Sequence, residues 1–559
     1  MKKRWIEFKD YSFTYAGRPE PALKDIDLSI NYGEKVLILG ENGSGKTSLL
    51  RALAGELGGE KYPGEVNGTL IVNDEGVPEA NKQIAKYFGD LNSNQELHYQ
   101  GQDSDSFAGR LWSLLAPVPE PTRQKTLAEL SAGEQDMYHF IEMVEAKEPV
   151  YIFDEPLANL APRTSRRFIE ILDDFYVQTA ATVIIAAHRM EPMMYRHIDR
   201  VIVLLNGSII FQGSLDSLLH NDVLGDLNIR EPLYITAMRY AGYPFHQLKN
   251  ISNVEKIHGP HLRATMENWV ASIPSFRFRQ SRETLFEMSD VSYFFAGQKQ
   301  GVRDVSLKVK RGEMISIAGD NGAGKSTLAR LISGDLDPMS GAMHWYGGYR
   351  RTDQAGQRPN ISYIPHNFEK LLTERTVGEQ VHESLRHENL LVEEKNERVH
   401  AALYAMGLWF AREMPIRFLS YGQKKRLVLA CALATEPELL IIDEPTEGQD
   451  SKHYIEFMGY LYRVNQQHNI ALIINSHDIE VMLSYTRRTL VMAAGELIAD
   501  DVPVQVATNP YLMKRSGLKE TSLARFARTI GLVDPYNFIQ KFMDYDREIK
   551  QVNSLGAEL

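Results

Sequence analysis

Two copies of one phosphate-binding frame constrain this chain more than any other feature. The frame GxxxxGK[ST] occupies residues 40–47 and again residues 319–326, 279 residues later. With glycine near its ordinary frequency, one chance match is expected in roughly a few chains in a hundred of this length, and two are far rarer. The sequence therefore predicts a duplicated nucleotide-binding unit rather than a pair of glycine-rich turns.

Each frame lies between a short apolar run and the start of an apolar-periodic segment. We predict strands over 36–39 and 315–318, and helix starts over 48–53 and 327–332. Glycines let backbone N–H groups curl around phosphate oxygens, and a helix N-terminus adds positive potential. The predicted nucleotide-binding residues of the two loops are Gly40, Asn42, Gly43, Gly45, Lys46, Thr47 and Ser48, and Gly319, Asn321, Gly322, Gly324, Lys325, Ser326 and Thr327.

The lysine and the hydroxyl residue of each loop have distinct predicted roles. Lys46 and Lys325 would reach the β- and γ-phosphates of a bound nucleotide. Thr47 and Ser326 would each place a hydroxyl on Mg²⁺. The frames therefore predict ATP and Mg²⁺ as cofactors.

Three further landmarks repeat at a constant offset of 289 residues. They are an LSxG hexad at 130–135 and 419–424, an apolar run ending in Asp-Glu-Pro at 150–156 and 439–445, and a late histidine, His188 and His477. Between the phosphate loop and the hexad, the second copy is ten residues longer. That segment is where the two halves have diverged.

The Asp-Glu pairs are predicted to lie at the carboxyl edge of a buried parallel strand, where such sheets bind ligands. Asp154 and Asp443 would belong to the Mg²⁺ site. The glutamates would orient or deprotonate the attacking water, and a neutral imidazole at a strand end could hydrogen-bond the γ-phosphate or that water. The predicted catalytic residues are Glu155, Glu444, His188 and His477.

Phosphate loop, LSxG hexad, Asp-Glu-Pro and late histidine, in this order and spacing, resemble the nucleotide-binding domain of ATP-binding-cassette (ABC) proteins. The resemblance implies an α/β fold of two P-loop NTPase cassettes in tandem, each with a RecA-like core sheet, an antiparallel β-part and a helical subdomain. It also implies head-to-tail pairing of the halves. The residues that it implies for this pairing are Ser420 and Gly422 with Lys46, and Ser131 and Gly133 with Lys325. Further implied nucleotide contacts are Glu134, Gln423 and the adenine-stacking aromatics Tyr15 and Phe295.

The chain departs from the family pattern at two places in the first half and at one place in the second. No glutamine stands where the family has one that senses the γ-phosphate and Mg²⁺, and we read Gly89 and His366 there instead. The family's later aspartate matches Asp450 in the second half, whereas the first half has Ala161. We therefore expect two active sites of unequal rate.

Composition limits the other classes of function. The 559 residues are 43% hydrophobic and 24% charged, as in a soluble globular protein, and no apolar run approaches the length of a membrane span. A single cysteine, Cys431, excludes a disulfide framework and favours a reducing cytoplasm. A formal net charge of −11 argues against a general nucleic-acid surface.

The spacing divides the chain into four predicted segments. They are a first cassette over 1–215, a helical extension and linker over 216–282, a second cassette over 283–505 and a C-terminal helical extension over 506–559. An amphipathic helix is predicted behind Pro232 within 227–242, and the C-terminal extension is predicted to be helical, including residues 522–531.

The apolar helix that ends in Gly242, and the cassette openings around Phe13 and Tyr293, are similar to the ATPases of energy-coupling-factor (ECF) transporters. Some members of that family carry both ATPases in one chain. The resemblance implies an ATP-hydrolysing subunit that drives import of a vitamin, a vitamin precursor or a metal ion. Its partners would be an integral-membrane scaffold subunit and a small substrate-binding membrane subunit, at the cytoplasmic face of the cell membrane.

Two alternatives remain open at this point. An ABC-F-like ATPase acting on the ribosome would carry a long basic helical hairpin between its cassettes, whereas the joining stretch here has only a short arginine cluster at 277–282. The fused ATPase of a sugar importer has a similar length, but such chains usually show a weakened second phosphate loop, and residues 319–326 are intact.

Overall fold

The computed structural model describes residues 4–72, 75–76, 86–88, 140, 148–157, 162–227, 229–274, 283–295, 301–352, 356–445 and 451–556. The chain divides into two compact units. One comprises residues 1–262 with 450–452, and the other comprises residues 263–449 with 453–559.

The first unit contains a mixed sheet and a smaller antiparallel sheet. Its strands are β1 (Arg4–Tyr15), β2 (Leu23–Asn31), β3 (Lys35–Leu39), β4 (Gly64–Val72), β5 (Glu75–Gly76), β6 (Lys86–Phe88), β7 (Val150–Asp154), β8 (Thr182–Ala187), β9 (Arg200–Leu205) and β10 (Ser208–Gly213). Its helices are α1 (Lys46–Leu53), α2 (Pro162–Thr179), α3 (Leu215–His220), α4 (Val223–Asp226) and α5 (Leu233–Tyr240).

The larger sheet of this unit has the order β10-β9-β3-β8-β7-β6, and the smaller one has the order β2-β1-β4-β5. Among the described strands of the larger sheet, β10 alone runs antiparallel to its neighbour. Every residue of β3 and β8 is buried, and their aliphatic runs are typical of parallel strands covered on both faces. The carboxyl ends of β3, β7 and β8 therefore meet at one edge of the sheet.

The second unit repeats this plan. Its strands are β11 (Thr284–Phe294), β12 (Gly301–Lys310), β13 (Met314–Ala318), β14 (Ser340–Trp345), β15 (Tyr349–Thr352), β16 (Gly356–Pro359), β17 (Ile361–Ile364), β18 (Leu439–Asp443), β19 (Ala471–Asn475), β20 (Arg488–Ala493) and β21 (Glu496–Asp501). Its helices are α6 (Leu262–Ser272), α7 (Lys325–Ser333), α8 (Val377–Ser384), α9 (Val392–Ala405), α10 (Tyr421–Ala434), α11 (Ser451–His468), α12 (Ile479–Tyr485), α13 (Pro503–Thr508), α14 (Pro510–Ser516), α15 (Ser522–Thr529) and α16 (Pro535–Gly556).

The larger sheet here has the order β17-β18-β19-β13-β20-β21. Taken from the opposite edge, the first unit has the same order, with β6, β7, β8, β3, β9 and β10 in the corresponding places. An antiparallel sheet, β12-β11-β14, accompanies it. The predicted α/β architecture, with a parallel core sheet and an antiparallel β-part in each half, is confirmed. A helical part formed by α8, α9 and α10 packs around Val381, Leu403 and Leu427. Most of the matching segment of the first half lies outside the described residues.

The predicted linker helix is present as α5. Pro232 is its N-cap, and proline is tolerated there because the first N–H groups of a helix have no partner within it. The helix ends before Gly242, whose φ of 65° lies in the left-handed region. The next linker helix, α6, packs instead on the C-terminal extension, where the Trp269 ring contacts those of Phe542 and Tyr545.

The C-terminal helix α16 is fixed to α12 by one buried arginine. The Arg547 guanidinium donates hydrogen bonds to the carbonyl oxygens of Leu483, Ser484 and Thr486, where α12 ends. It also forms an ion pair with Asp544 at 3.0 Å. Its positive charge suits the negative end of the helix dipole. Burial lowers the pKa of Arg547 to about 10, so the group stays charged at neutral pH.

Candidate functional site

The two phosphate loops have matching backbone geometry. Each connects the carboxyl end of a core strand to a helix, β3 to α1 and β13 to α7. Gly45 and Gly324 cap these helices with φ of 102° and 99°. A Cβ at Gly45 would lie 2.8 Å from the Ala22 carbonyl oxygen, and one at Gly324 would lie 2.7 Å from that of Gly301. Only glycine fits at these two positions.

The loop lysines fold back over their own loops. Lys46 Nζ donates to the carbonyl oxygens of Gly40 (2.9 Å) and Glu41 (3.0 Å). In the second loop, Lys325 Nζ makes the same two contacts, with Gly319 (3.0 Å) and Asp320 (3.1 Å). Burial lowers the pKa of Lys325, and the negative charges of nearby carboxylates oppose that shift. Each ammonium group therefore lies against the backbone of the loop that would surround a phosphate.

A hydroxyl and a carboxylate converge beside each loop. In the first unit, Thr47 Oγ1 donates to Asp154 Oδ2 at 2.7 Å. In the second, Ser326 contacts Asp443, which is 3% exposed. Burial raises the pKa of Asp443, and hydrogen bonds from Asn475, Tyr363 and Ser326 oppose the shift.

These oxygen donors suit Mg²⁺, which is usually held by one or two carboxylates together with water and substrate phosphates. Clusters of three or more His, Cys, Asp or Glu that could hold a metal ion are absent from the described part of the chain. One carboxylate and one hydroxyl per site fit a cation that the nucleotide helps to hold. Thr47 with Asp154, and Ser326 with Asp443, are the residues that would hold it.

Each glutamate pairs with the late histidine of its own half. His188 Nδ1 lies 2.7 Å from Glu155 Oε2, and His477 Nδ1 lies 2.9 Å from Glu444 Oε1. Toward an ionised carboxylate, which can only accept, Nδ1 of each histidine is the hydrogen-bond donor. The glutamates have φ of 48° and 44°, in a region that non-glycine residues seldom adopt. Such local strain clusters at functional sites, where the surrounding structure maintains it.

The second half has two polar residues where the first has alanines. Asn475 Nδ2 donates to Asp443 Oδ1 at 2.9 Å, and Ser476 Oγ donates to Glu444 Oε2 at 3.2 Å. The matching residues 289 positions earlier are Ala186 and Ala187, which have no side-chain donor. Sequence reasoning missed both polar residues, although the contrast of Ala-Ala-His with Asn-Ser-His was a visible signal.

Comparisons with known proteins agree with this geometry. A family model described as ABC transporter matches residues 23–158 and again residues 302–447. A model described as ATP-binding cassette cobalt transporter matches residues 221–293. A protein of Enterococcus faecalis described as an ABC transporter ATP-binding protein is 36% identical over 98% of this chain and 100% of its own length. The chain belongs to the ABC transporter family of ATP-binding proteins.

Further relatives of this ABC protein have the same description. One from Vibrio vulnificus is 32% identical over 97% of this chain and 97% of its own length. A solved structure from Clostridium perfringens, described as cbiO1 and as part of the ABC transporter complex cbiONQ, is 27% identical. It covers 42% of this chain and 94% of its own, with a TM-score of 0.37. The predicted activity, ATP hydrolysis coupled to transport, is confirmed by family membership.

The predicted adenine-stacking residues occupy equivalent places at the ends of β1 and β11. Tyr15 packs edge-on against Phe13 at 4.8 Å, and Phe295 packs in the same way against Tyr293 at 5.1 Å. The Tyr15 hydroxyl also lies 3.1 Å from Ser48 Oγ on α1, a contact that a phenylalanine cannot make. Both rings therefore lie near a strand end of the antiparallel part, and the first is additionally tied to its phosphate-loop helix.

The LSxG hexad of the second ABC cassette begins α10. Ser420 is the N-cap and is exposed, and its side chain accepts a hydrogen bond from the Gln423 backbone N–H at 3.2 Å. The Gln423 side-chain oxygen in turn accepts a hydrogen bond from the Ser420 backbone N–H at 2.9 Å, so the two residues form a capping box. The capping box uses the N–H groups of Ser420 and Gln423, and it leaves the N–H of Gly422, in the same turn, for an anion.

Several predicted residues fall outside the described part of the chain. They are Ser131, Gly133 and Glu134 of the first hexad, Gly89, Ala161 and Asp450. His366 is described, and it lies on the surface two residues after β17. The roles of these residues remain predictions. Across the described helices, none is both long and apolar enough to cross a membrane.

Proposed function

We propose that this chain is the energy-coupling ATPase of an ECF-type importer for a metal ion, with cobalt as the first candidate substrate. The observation that carries the proposal is the match of residues 221–293 to the family described as ATP-binding cassette cobalt transporter. That stretch joins the two cassettes and includes α5 and α6, so it is distinct from the ATPase motifs that all ABC proteins share.

The contacts described above support the following reaction in each cassette. The loop lysine and backbone N–H groups bind the phosphates, and bound Mg²⁺ would neutralise their charge. Glu155 and Glu444 would orient the attacking water and accept its proton, while His188 and His477 hold those carboxylates in place. In the head-to-tail arrangement, Ser420 would complete the site of the opposite cassette.

The hexad pairing can be tested by placing a bulky charge at the exposed N-cap. Ser420→Arg is expected to weaken nucleotide binding at the first phosphate loop and to leave the second loop's affinity near wild type. Nucleotide affinity would be measured in Lys325→Ala and Lys46→Ala backgrounds, which report the first and second loops respectively. An effect confined to the second loop would contradict head-to-tail pairing.

The helical part of the second cassette offers a surface for a membrane partner. Large apolar side chains are exposed there, among them Tyr404 (72%), Phe410 (71%) and Phe418 (66%). All three fall within residues 404–418, and exposed apolar residues that form one patch commonly mark interaction sites. We assign this surface to the integral-membrane scaffold subunit, which would place the chain at the cytoplasmic face of the membrane.

The test is affinity capture of the tagged chain from gently solubilised membranes of its own host. We expect an integral-membrane protein of several helices and a small hydrophobic subunit to copurify. Phe410→Asp should abolish this, while Val533→Asp, at a residue that is 81% exposed in the C-terminal extension, should not. Uptake of Co²⁺ by cells expressing the captured set would then identify the substrate. Ribosomal proteins in place of a membrane partner would overturn the importer proposal.

A further inference from the structure

The buried amide of Asn475 lies between the two side chains proposed to hold Mg²⁺ in the second site. Asn475 is the last residue of β19, and it lies directly opposite Asp443 in the parallel register of β18 and β19. The residue is 1% exposed. Nδ2 donates to Asp443 Oδ1 at 2.9 Å and to Ser326 Oγ at 3.4 Å. One amide therefore joins the strand that carries the carboxylate to the helix that carries the hydroxyl.

The orientation of this amide follows from the charge that it faces. A reversed amide would direct Oδ1 at the Asp443 carboxylate, and two acceptors would then face each other. In the observed orientation, Oδ1 is buried and has no hydrogen-bond partner among the described residues. A buried acceptor is costly unless a donor reaches it. A water molecule carried by a bound cation is a suitable donor.

The first site lacks this device. Ala186 occupies the same register position, directly opposite Asp154, and it is fully buried. Alanine offers no donor to the carboxylate and no acceptor to a cation-bound water. The two sites therefore share the motif residues but differ in the side chain that supports them.

We propose that Asn475 is a positioning residue that holds Asp443 and Ser326 ready for the cation, so that the second site couples Mg²⁺ to nucleotide binding more strongly than the first. Residues that hydrogen-bond metal ligands, without binding the metal themselves, orient those ligands. Removal of such a residue typically lowers metal affinity 10- to 100-fold. The proposal rests on the Mg²⁺-dependent reaction proposed above, but not on any transported substrate.

The test measures how strongly Mg²⁺ tightens binding of ADP to the full-length chain. The readout is the ratio of the ADP dissociation constant in EDTA to that in saturating Mg²⁺. A Lys46→Ala background reports the second site, and a Lys325→Ala background reports the first. In the Lys46→Ala background, Asn475→Ala is expected to lower the ratio about tenfold or more. In the Lys325→Ala background, the same substitution should leave the ratio unchanged.

Two controls separate positioning from packing. Alanine already occupies this strand position in the first cassette, so Asn475→Ala should fold, and the thermal midpoint without nucleotide checks this. Asn475→Ser, which keeps one shorter donor, should give an intermediate ratio. An unchanged ratio would overturn the proposal. So would an equal loss of ADP affinity in EDTA and in Mg²⁺, which would assign Asn475 a structural role. Failure of Co²⁺ import would leave this result standing, since no step of the test involves transport.

Discussion

The two cassettes of this ABC protein share one strand order and one set of motifs, yet they fix their carboxylates differently. In the first, Glu155 contacts His188 and lies 3.9 Å from the Lys46 ammonium. In the second, Glu444 accepts from the Ser476 hydroxyl (3.2 Å) and from both the backbone N–H (3.2 Å) and the ring of His477. Matching motifs therefore specify the reaction, while the residues beside them set how firmly its groups are held.

The neighbouring aspartates differ in the residue that lies opposite each of them in the sheet, which is Asn475 for Asp443 and Ala186 for Asp154. Asp443 accepts a hydrogen bond from the Tyr363 hydroxyl at 2.8 Å in addition to that from Asn475. Both donors come from strands next to β18, so the carboxylate is held from two sides of the sheet. We therefore expect the second site to be the better organised of the two and to carry most of the turnover.

The largest effect is expected from removing each catalytic carboxylate. Glu444→Gln and Glu155→Gln should both preserve ATP binding, while the loss of a general base lowers its own site's hydrolysis about 10²- to 10⁴-fold. In steady-state ATPase assays, Glu444→Gln should leave the lower total rate because the site that it disables is the better organised one. Equal residual rates in the two variants would refute the asymmetry.

A smaller effect is expected from the serine beside the second histidine. Ser476→Ala removes one donor to Glu444 and should lower hydrolysis roughly tenfold, since a hydrogen bond to a charged group contributes about 1.5 kcal/mol or more. The reciprocal change, Ala187→Ser, is the matched control, and it should raise the first site's share of turnover. The two variants would be compared by ATPase rate in Glu155→Gln and Glu444→Gln backgrounds respectively. A wild-type rate for Ser476→Ala would show that His477 alone positions Glu444.

The smallest effect is expected at the adenine-stacking position. Tyr15→Phe removes the contact with Ser48 and makes the first cassette resemble the second, which has Phe295. A neutral, partly exposed hydrogen bond contributes about 1 kcal/mol, so nucleotide affinity of the first site should fall by no more than about fivefold. Nucleotide titration in the Lys325→Ala background measures this. A much larger loss would mean that the hydroxyl, rather than the ring, dominates the contact.

The sequence predicted the parts of this molecule that local pattern determines. The strand before each phosphate loop, the helix after it and the Asp-Glu pair at a strand end all follow from apolar runs and glycine spacing. The role of Asn475 could not be predicted in this way, because Asn475 and Asp443 are 32 residues apart and meet only through the register of β18 and β19. Tyr363 reaches the same carboxylate from 80 residues away, by a strand pairing that the motifs do not encode.

The attachment of the C-terminal helix has a mechanical consequence for the second cassette. Helix α12 begins immediately after His477 and Asp478, and it ends in the carbonyl groups that Arg547 holds. If His477 moves and α12 moves with it, either the buried hydrogen bonds of Arg547 must break or α16 must move as well. Trp269 of α6, in the joining segment, packs on α16, so a displacement of α16 would also move α6. Movement at the second nucleotide site would therefore be transmitted through α12 to α16 and from there to α6.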